Sequence, residues 1–174
     1  MTALQAHMPP PVQPTPRHRL RAMQVADLDR VLAIEVLAYS HPWTRGNFVD
    51  SLAAGYLAEL LVDGDDSVIG YFIAMPGVGE LHLLNLTVAP AHQRAGHART
   101  LLDALQACCQ RRGLPVLWLE VRAGNARARH VYLRRGFVEV GLRRRYYPAG
   151  HLLREDAIVM RFDVPALPSD GCAS

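Results

Sequence analysis

The sequence predicts a single domain of layered α/β or α+β architecture. Its 174 residues match the length that one hydrophobic core usually serves, and a 50% content of hydrophobic residues is enough to fill that core. Short runs of strand-forming residues alternate with segments of helical periodicity, and no internal repeat interrupts them. We therefore expect strands and helices to pack around one central sheet.

The first half of this domain is predicted to contain four strands and two helices. A strand at residues 19–23 precedes Asp27, which is placed to cap a helix ending near residue 38, and Thr44 is placed to cap the second helix. Two β-rich runs, residues 56–62 and 68–75, flank a Gly-Asp-Asp-Ser sequence that is typical of a hairpin. An apolar strand follows at residues 81–88.

The second half continues with two helices and three strands. The helices are expected from Gly96 to Arg112 and from Asn125 to Arg135, because a glycine able to end a helix follows each of them. The strands are expected at residues 116–121, 138–146 and 156–162. The domain should therefore span residues 17–164, between a proline-rich flexible tail at residues 1–16 and a flexible C-terminal tail at residues 165–174.

The composition excludes several classes of chemistry. All 19 cationic residues are arginines, so neither a lysine Schiff base nor a P-loop lysine is available. The net charge of +3 suits an anionic small ligand without demanding a nucleic-acid groove. The three cysteines form no Cys-x-x-Cys pair and the histidines form no metal-ligand spacing, so we expect no metal. No secretory or membrane-spanning segment stands out, and we expect a cytoplasmic protein that binds no membrane.

A strand–loop–helix junction at residues 86–99 is the most informative segment. The strand breaks at Pro90 and a helix opens near Gly96. Because a helix N-terminus leaves backbone N–H groups unpaired and carries a partial positive charge, this junction can hold a pyrophosphate without lysine. An ordinary helix entry would show the same single glycine, so the segment alone leaves both interpretations open.

Two polar residues interrupt otherwise apolar patterns. Glu120 lies near the end of an apolar strand, either as a strand-end carboxylate paired with water or arginine, or as a general base. Tyr132 lies in a helix with a core-facing side, either as a packed aromatic residue or as the acid that protonates a leaving thiolate. Residues 143–147, three arginines and two tyrosines, form either a solvated strand end or part of a substrate loop, and we expect no direct nucleic-acid contact.

These segments together resemble the GNAT superfamily of N-acetyltransferases, and within it the RimI-type ribosomal-protein alanine N-acetyltransferases. Residues 93–98, Gln-Arg-Ala-Gly-His-Ala, are similar to the GNAT motif Gln/Arg-x-x-Gly-x-Gly/Ala. Residues 117–125 and 131–137 look like the RimI-type segments that carry a base and an acid. The chain departs from the usual motif at His97, where an apolar residue is common, and at Ala98, where glycine is common.

The resemblance implies a GNAT fold with a mixed, mostly antiparallel central sheet flanked by helices, and acetyl-CoA as cosubstrate. It assigns Glu120 as the base and Tyr132 as the acid, and it implies a bulge in the strand before the junction. The implied cofactor contacts are Leu86, Thr87 and Val88 along pantetheine and the acetyl group, Asn125, and the pyrophosphate-binding amides of Arg94, Ala95, Gly96, His97, Ala98 and Arg99.

The implied reaction is direct transfer of the acetyl group to a protein N-terminal α-amine. The acceptor expected from the resemblance is the N-terminal alanine of a small-subunit ribosomal protein. Two alternatives remain open at this point: a GNAT enzyme for a small-molecule amine or protein lysine, and a non-catalytic acyl-CoA-binding sensor. Retention of both Glu120 and Tyr132 argues against the sensor, because a binding protein needs neither.

Overall fold

The computed structural model describes residues 18–148 and 153–167. The elements in chain order are β1 (His18–Ala22), α1 (Leu28–Ala38), α2 (Arg45–Ala53), β2 (Leu57–Asp63), β3 (Val68–Pro76), β4 (Glu80–Val88), α3 (His97–Arg111), β5 (Val116–Arg122), α4 (Ala126–Arg135), β6 (Val138–Pro148) and β7 (Arg154–Asp163). Short 3₁₀ turns precede α1 and α3. The predicted N-terminal tail lies outside the described residues, as do residues 168–174 of the predicted C-terminal tail.

Seven strands of the described chain form one sheet, in the order β1-β2-β3-β4-β5-β7-β6. Every neighbouring pair is antiparallel except β4 and β5, which are parallel and connected through α3. The predicted mixed, mostly antiparallel sheet is therefore confirmed. None of the helices within the described residues is long and apolar enough to cross a membrane.

Helices cover both faces of the sheet, and each face has its own core. On one face, Leu101 and Leu105 of α3 pack with Phe72, Leu119 and other buried residues of the sheet, and α4 adds partly buried side chains. On the other face, a second cluster joins α1 and α2 to β2 and β3 through residues such as Phe48. This arrangement confirms the predicted layered architecture.

The structure confirms one of the two predicted helix caps and contradicts the other. The Thr44 hydroxyl accepts the backbone N–H of Asn47 at 3.3 Å, which confirms the cap of α2. Asp27 directly precedes α1, but the prediction that its side chain caps this helix was wrong. Its carboxylate instead accepts hydrogen bonds from Arg21 at 2.8 Å and from Arg30, and the Arg21 guanidinium holds the pKa of Asp27 well below its usual range. The same carboxylate accepts the backbone N–H of Gln24 at 2.9 Å, so it is engaged by two guanidinium groups and by the 3₁₀ turn before α1, and not by the amides of α1.

The feature of the sheet that matters most for function is the separation of β4 from β5. The two strands pair only from Glu80 opposite Val116 to Leu83 opposite Leu119. Just beyond this point the register against β3 shifts: Ala74 faces Leu83 and Ile73 faces Asn85, which leaves Leu84 without a partner. The structure thus confirms the predicted bulge, and the unpaired ends of β4 and β5 open a gap in the sheet.

Gly70 allows β3 to approach β4 closely beside this gap. A Cβ atom at position 70 would lie 2.6 Å from the backbone oxygen of Thr87 and 3.3 Å from the side chain of Leu101. Because real Cβ atoms do not approach a carbonyl oxygen that closely, β4 would have to move to accommodate any other residue.

We predict that Gly70→Ala destabilises the protein by about 1–3 kcal/mol, since the added methyl group overpacks a rigid backbone contact. Urea denaturation of the purified variant measures this loss as a lower midpoint. Gly64→Ala is the matched control, because a Cβ atom there meets nothing within 4 Å. Equal midpoints for the two variants would contradict the close-packing argument.

Candidate active site

A cavity of about 1220 Å³ lies where β4, the start of α3 and the helix α4 converge. Most of the residues predicted to hold a cofactor line it: Leu86, Thr87 and Val88 from β4, Asn125 before α4, and Arg94, Gly96, His97, Ala98 and Arg99 from the turn and α3. Ala95 is not part of the lining, although both of its chain neighbours are. The predicted cofactor contacts therefore cluster around one cavity, and a role for the Ala95 amide stays a prediction.

The turn before α3 is shaped by two residues in the left-handed conformation. Arg94 has φ of 65° and Gly96, the residue directly before α3, has φ of 87°. Left-handed residues in a turn direct backbone N–H groups to a common side, and the first amides of α3 lack acceptors within the helix. A Cβ atom at Gly96 would meet nothing within 4 Å, so glycine is needed here for its backbone conformation and not for space.

The cavity wall is strongly cationic. Arg135 is held in place by Asp103 at 2.8 Å, and Arg127 donates to the side chain of Gln93 at 2.9 Å across the mouth of the cavity. The wall contains only one acidic side chain, that of Asp103, whereas it contains five arginines: Arg94, Arg99, Arg127, Arg134 and Arg135. Such a wall attracts a ligand that carries phosphate groups.

His97 adds no charge to this wall near pH 7. Its ring makes edge contacts with His18, at 4.9 Å between centroids, and with His92, at 6.2 Å. Burial lowers the pKa of His97 below 6.5, and the two neighbouring histidines lower it further. The imidazole is therefore neutral at pH 7 and serves as a packing residue at the motif position where the family commonly has an apolar side chain.

The open edge of β4 offers two backbone N–H groups to the cavity. Ala89 donates its N–H to Ile69 of β3 at 2.8 Å, and backbone groups of alternate strand residues point to opposite edges. Consistent with this alternation, the carbonyl of Leu86 accepts from the Tyr39 hydroxyl and the carbonyl of Val88 accepts from the Gln93 amide. The N–H groups of Leu86 and Val88 consequently face the gap left by β5.

Tyr132 lies on α4 and lines the cavity. Its ring packs against Phe137, with 5.6 Å between the ring centroids. Burial raises the pKa of the Tyr132 hydroxyl above the usual 10, and the nearby Tyr39 and Tyr147 raise it further. The hydroxyl is thus protonated at neutral pH, which is the state required of a proton donor.

Glu120 lies outside the cavity lining, on the opposite side of the sheet. Burial alternates along β5, and Leu119 and Val121 point to the α3 core while Glu120 points away from it. The carboxylate is 15% exposed and forms an ion pair with Arg143 at 3.2 Å. Tyr147 donates its hydroxyl hydrogen to the Glu120 backbone oxygen at 3.0 Å. The predicted base and acid therefore approach the gap between β4 and β5 from different faces.

Sequence reasoning missed a group of polar residues on the Glu120 face. Glu35, Tyr39 and Asn85 form hydrogen bonds next to the open end of β4, and Tyr39 lines the cavity. A signal for Glu35 was present in the sequence, because it follows Leu28 and Val31 on the core side of α1. Within the described residues, no group of three or more His, Cys, Asp or Glu side chains is arranged to hold a metal ion.

Comparisons with known proteins agree with this geometry. The model of the acetyltransferase (GNAT) family matches residues 28–137. The chain is 38% identical to the [ribosomal protein bS18]-alanine N-acetyltransferase of Haemophilus ducreyi, over 77% of this chain and 92% of that protein. It is also 38% identical to the enzyme of the same name from Salmonella typhimurium, over 82% of this chain and 95% of that protein.

The fold is similar to that of a solved structure as well. The crystal structure of the ribosomal-protein-S18-alanine N-acetyltransferase from Escherichia coli superposes with a TM-score of 0.79 and 33% sequence identity. The superposition covers 88% of this chain and 97% of that one. The two proteins therefore share the same overall fold.

Proposed function

Because the chain belongs to the acetyltransferase (GNAT) family, we propose that it moves the acetyl group of acetyl-CoA to the α-amine of the N-terminal alanine of ribosomal protein bS18. The observation that carries this proposal is 38% identity to bS18-alanine N-acetyltransferases over most of both chains. Neighbours that act on other amines are less similar in sequence, such as a spermidine N-acetyltransferase chimera at 23% identity. A ribosomal-protein acceptor further supports a cytoplasmic location.

The cavity fits acetyl-CoA, the acetyl donor. The left-handed turn and the first amides of α3, from Arg94 to Arg99, would hold the pyrophosphate, and the surrounding arginines would balance its charge. Leu86, Thr87 and Val88 would lie along pantetheine and the acetyl group, with Asn125 as a further contact. Asn125 has a structural role too, since its side chain caps α4 by accepting the N–H of Ala128 at 3.0 Å.

The chemistry is a direct transfer between two bound substrates. Glu120 takes a proton from the acceptor ammonium, directly or through water, and the neutral nitrogen attacks the acetyl carbonyl carbon. The N–H of Val88 stabilises the negative charge that develops on the carbonyl oxygen. As the new C–N bond forms, the C–S bond breaks and Tyr132 donates its hydroxyl proton to the departing thiolate. The nitrogen then loses its second proton, which returns to Tyr132, so the products are the neutral amide and the CoA thiol.

An N-terminal amine suits this arrangement better than a lysine side chain. An α-amino group has a pKa of about 7.7–8.0, whereas a lysine has a pKa near 10.4. Each pKa unit corresponds to about 1.36 kcal/mol, so deprotonating lysine at neutral pH costs several kcal/mol more. A single carboxylate is therefore an adequate base for the α-amine.

The cofactor assignment predicts that a negative charge at position 96 weakens acetyl-CoA binding. Gly96→Asp should raise the Kd for acetyl-CoA by about tenfold or more, because the carboxylate would repel the pyrophosphate at the helix N-terminus. Gly96→Asn is the control, since asparagine has the same shape and also tolerates the left-handed conformation. Isothermal titration calorimetry gives both constants, and equal weakening by Asp and Asn would remove the electrostatic argument.

The catalytic assignment predicts that Glu120→Gln and Tyr132→Phe each slow turnover by roughly 10²–10⁴-fold. Both variants should bind acetyl-CoA nearly as well as the wild type, because neither change alters the phosphate-binding turn. Steady-state kinetics at saturating acetyl-CoA measures the effect. Glu139→Gln, on the exposed strand β6, serves as the control and should keep full activity. Wild-type rates in both site variants would reject these two roles.

The acceptor assignment predicts acetylation of the α-amine of a peptide that begins with alanine. The test is mass spectrometry of two peptides incubated with enzyme and acetyl-CoA: one with a free N-terminal alanine, and one with a blocked N-terminus and an internal lysine. We expect the free peptide to gain one acetyl group and the blocked peptide to remain unmodified. Preferential modification of the blocked peptide would reject the N-terminal assignment and leave the acetyltransferase family intact.

A further inference from the structure

A buried carboxylate lies next to the open end of β4. Glu35 of α1 is 1% exposed. Its oxygens accept the backbone N–H of Trp43 at 2.9 Å, the side-chain amide of Asn85 at 3.3 Å, and the hydroxyl of Tyr71. A carboxylate surrounded by donors can only accept hydrogen bonds, so it determines how each of these neighbours is oriented.

The orientation imposed by Glu35 passes along a chain of hydrogen bonds. Asn85 must turn its amide nitrogen toward Glu35, and its oxygen therefore points to Thr87. The Thr87 hydroxyl donates its single hydrogen to that oxygen at 2.8 Å. If the Thr87 hydrogen pointed elsewhere, the buried Asn85 oxygen would have no donor from Thr87. Toward its other neighbour, the Tyr39 hydroxyl at 3.0 Å, Thr87 can therefore act only as an acceptor.

Tyr39 consequently directs its hydrogen into the protein. Its hydroxyl lies 3.0 Å from the Thr87 oxygen and 3.2 Å from the carbonyl oxygen of Leu86, and both are acceptors. Tyr39 also lines the cavity, and burial raises the pKa of its hydroxyl, which keeps it protonated at neutral pH. A ligand in the cavity therefore meets the lone pair of the Tyr39 oxygen, and only a donor can bind to it.

The ligand group that matches this lone pair is an amine. Phosphates and the thioester carbonyl of acetyl-CoA are acceptors and cannot bond to this lone pair, whereas an α-amine or ammonium brings N–H donors. The amide N–H groups of pantetheine are donors as well, and the affinity for acetyl-CoA distinguishes them from the amine in the test below. Tyr39 directly follows α1, the helix on the Glu120 face of the sheet, and it lies beside the β4 residues whose N–H groups face the gap. An N–H bonded to Tyr39 would leave the nitrogen beside the acetyl carbon.

We propose that the Tyr39 hydroxyl oxygen accepts a hydrogen bond from the acceptor α-amine and that Glu35 is the positioning residue that fixes this direction. The inference rests on the proposed function and adds the group that binds the nitrogen before transfer. Tyr39 does not exchange protons in this scheme. It holds one N–H of the amine while Glu120 removes another proton.

Removal of the Tyr39 hydroxyl tests the binding role. Tyr39→Phe should raise the KM for an alanine-initiated peptide by about tenfold, because one hydrogen bond to a charged or partly charged donor is lost. The Kd for acetyl-CoA, measured by calorimetry, should stay within about twofold of the wild-type value, since no donor of the cofactor is assigned to Tyr39. Tyr56→Phe removes a tyrosine hydroxyl packed against the α1–α2 core and is the matched control, with both constants unchanged.

The positioning role of Glu35 is tested by a double-mutant cycle. Glu35→Gln keeps the shape of the side chain but adds N–H donors, so the direction of the chain is no longer fixed. We expect it to raise the acceptor KM alone, and we expect Glu35→Gln combined with Tyr39→Phe to be no worse than Tyr39→Phe. Thr87→Val should reproduce the defect and Thr87→Ser should restore most of the acceptor affinity, because serine keeps the hydroxyl.

The outcomes separate this inference from the proposed function. If the wild type leaves the alanine peptide unmodified, the proposed function fails and the inference fails with it. If the wild type acetylates the peptide and Tyr39→Phe leaves the acceptor KM unchanged, or raises the Kd for acetyl-CoA instead, only the inference is overturned. Additive effects of the Glu35 and Tyr39 substitutions would overturn the positioning role, and circular dichroism confirms that each variant compared is folded.

Discussion

The separation of β4 from β5 is the constraint on which the rest of the site depends. Pairing stops after Leu83 and Leu119, and the bulge at Leu84 turns the end of β4 so that two of its backbone N–H groups face the gap. In an uninterrupted sheet those groups would bond to β5 and nothing could pass between the strands. The gap therefore supplies both the donors for a carbonyl oxygen and a passage from one face of the sheet to the other.

Rigid neighbours keep this gap open. The close approach of β3 to β4 at Gly70 fixes the backbone of Thr87 from one side, and Leu101 of α3 packs against the same contact. On the other side, the buried chain from Glu35 through Asn85 ties Thr87 to α1. Burying a carboxylate is costly unless donors surround it, and the three donors at Glu35 meet that requirement. Strand β4 is thus held from both faces where it meets the substrates.

The sequence was sufficient to predict features that depend on local chemistry. The cap at Thr44 and the start of α3 at Gly96 both follow from short-range rules, and the structure has them. The prediction that the Asp27 side chain caps α1 was wrong because the partners of this carboxylate include Arg21, which belongs to β1. The polar chain beginning at Glu35 was missed for the same reason: Glu35 and its partner Asn85 are 50 residues apart, and only the packed sheet brings them together.

The two faces of the sheet also differ in the charged groups that they present beside the gap. The cavity beneath α3 and α4 contains five arginines and one aspartate, so it favours the anionic end of acetyl-CoA. Glu120 lies on the opposite face, and Tyr39 reaches the gap from the α1 side while also lining the cavity. Arg143 forms an ion pair with Glu120 at 3.2 Å on that face. In the proposed reaction, the amine nitrogen and the acetyl carbon would meet in the gap, which lies between the arginine-lined cavity and Glu120.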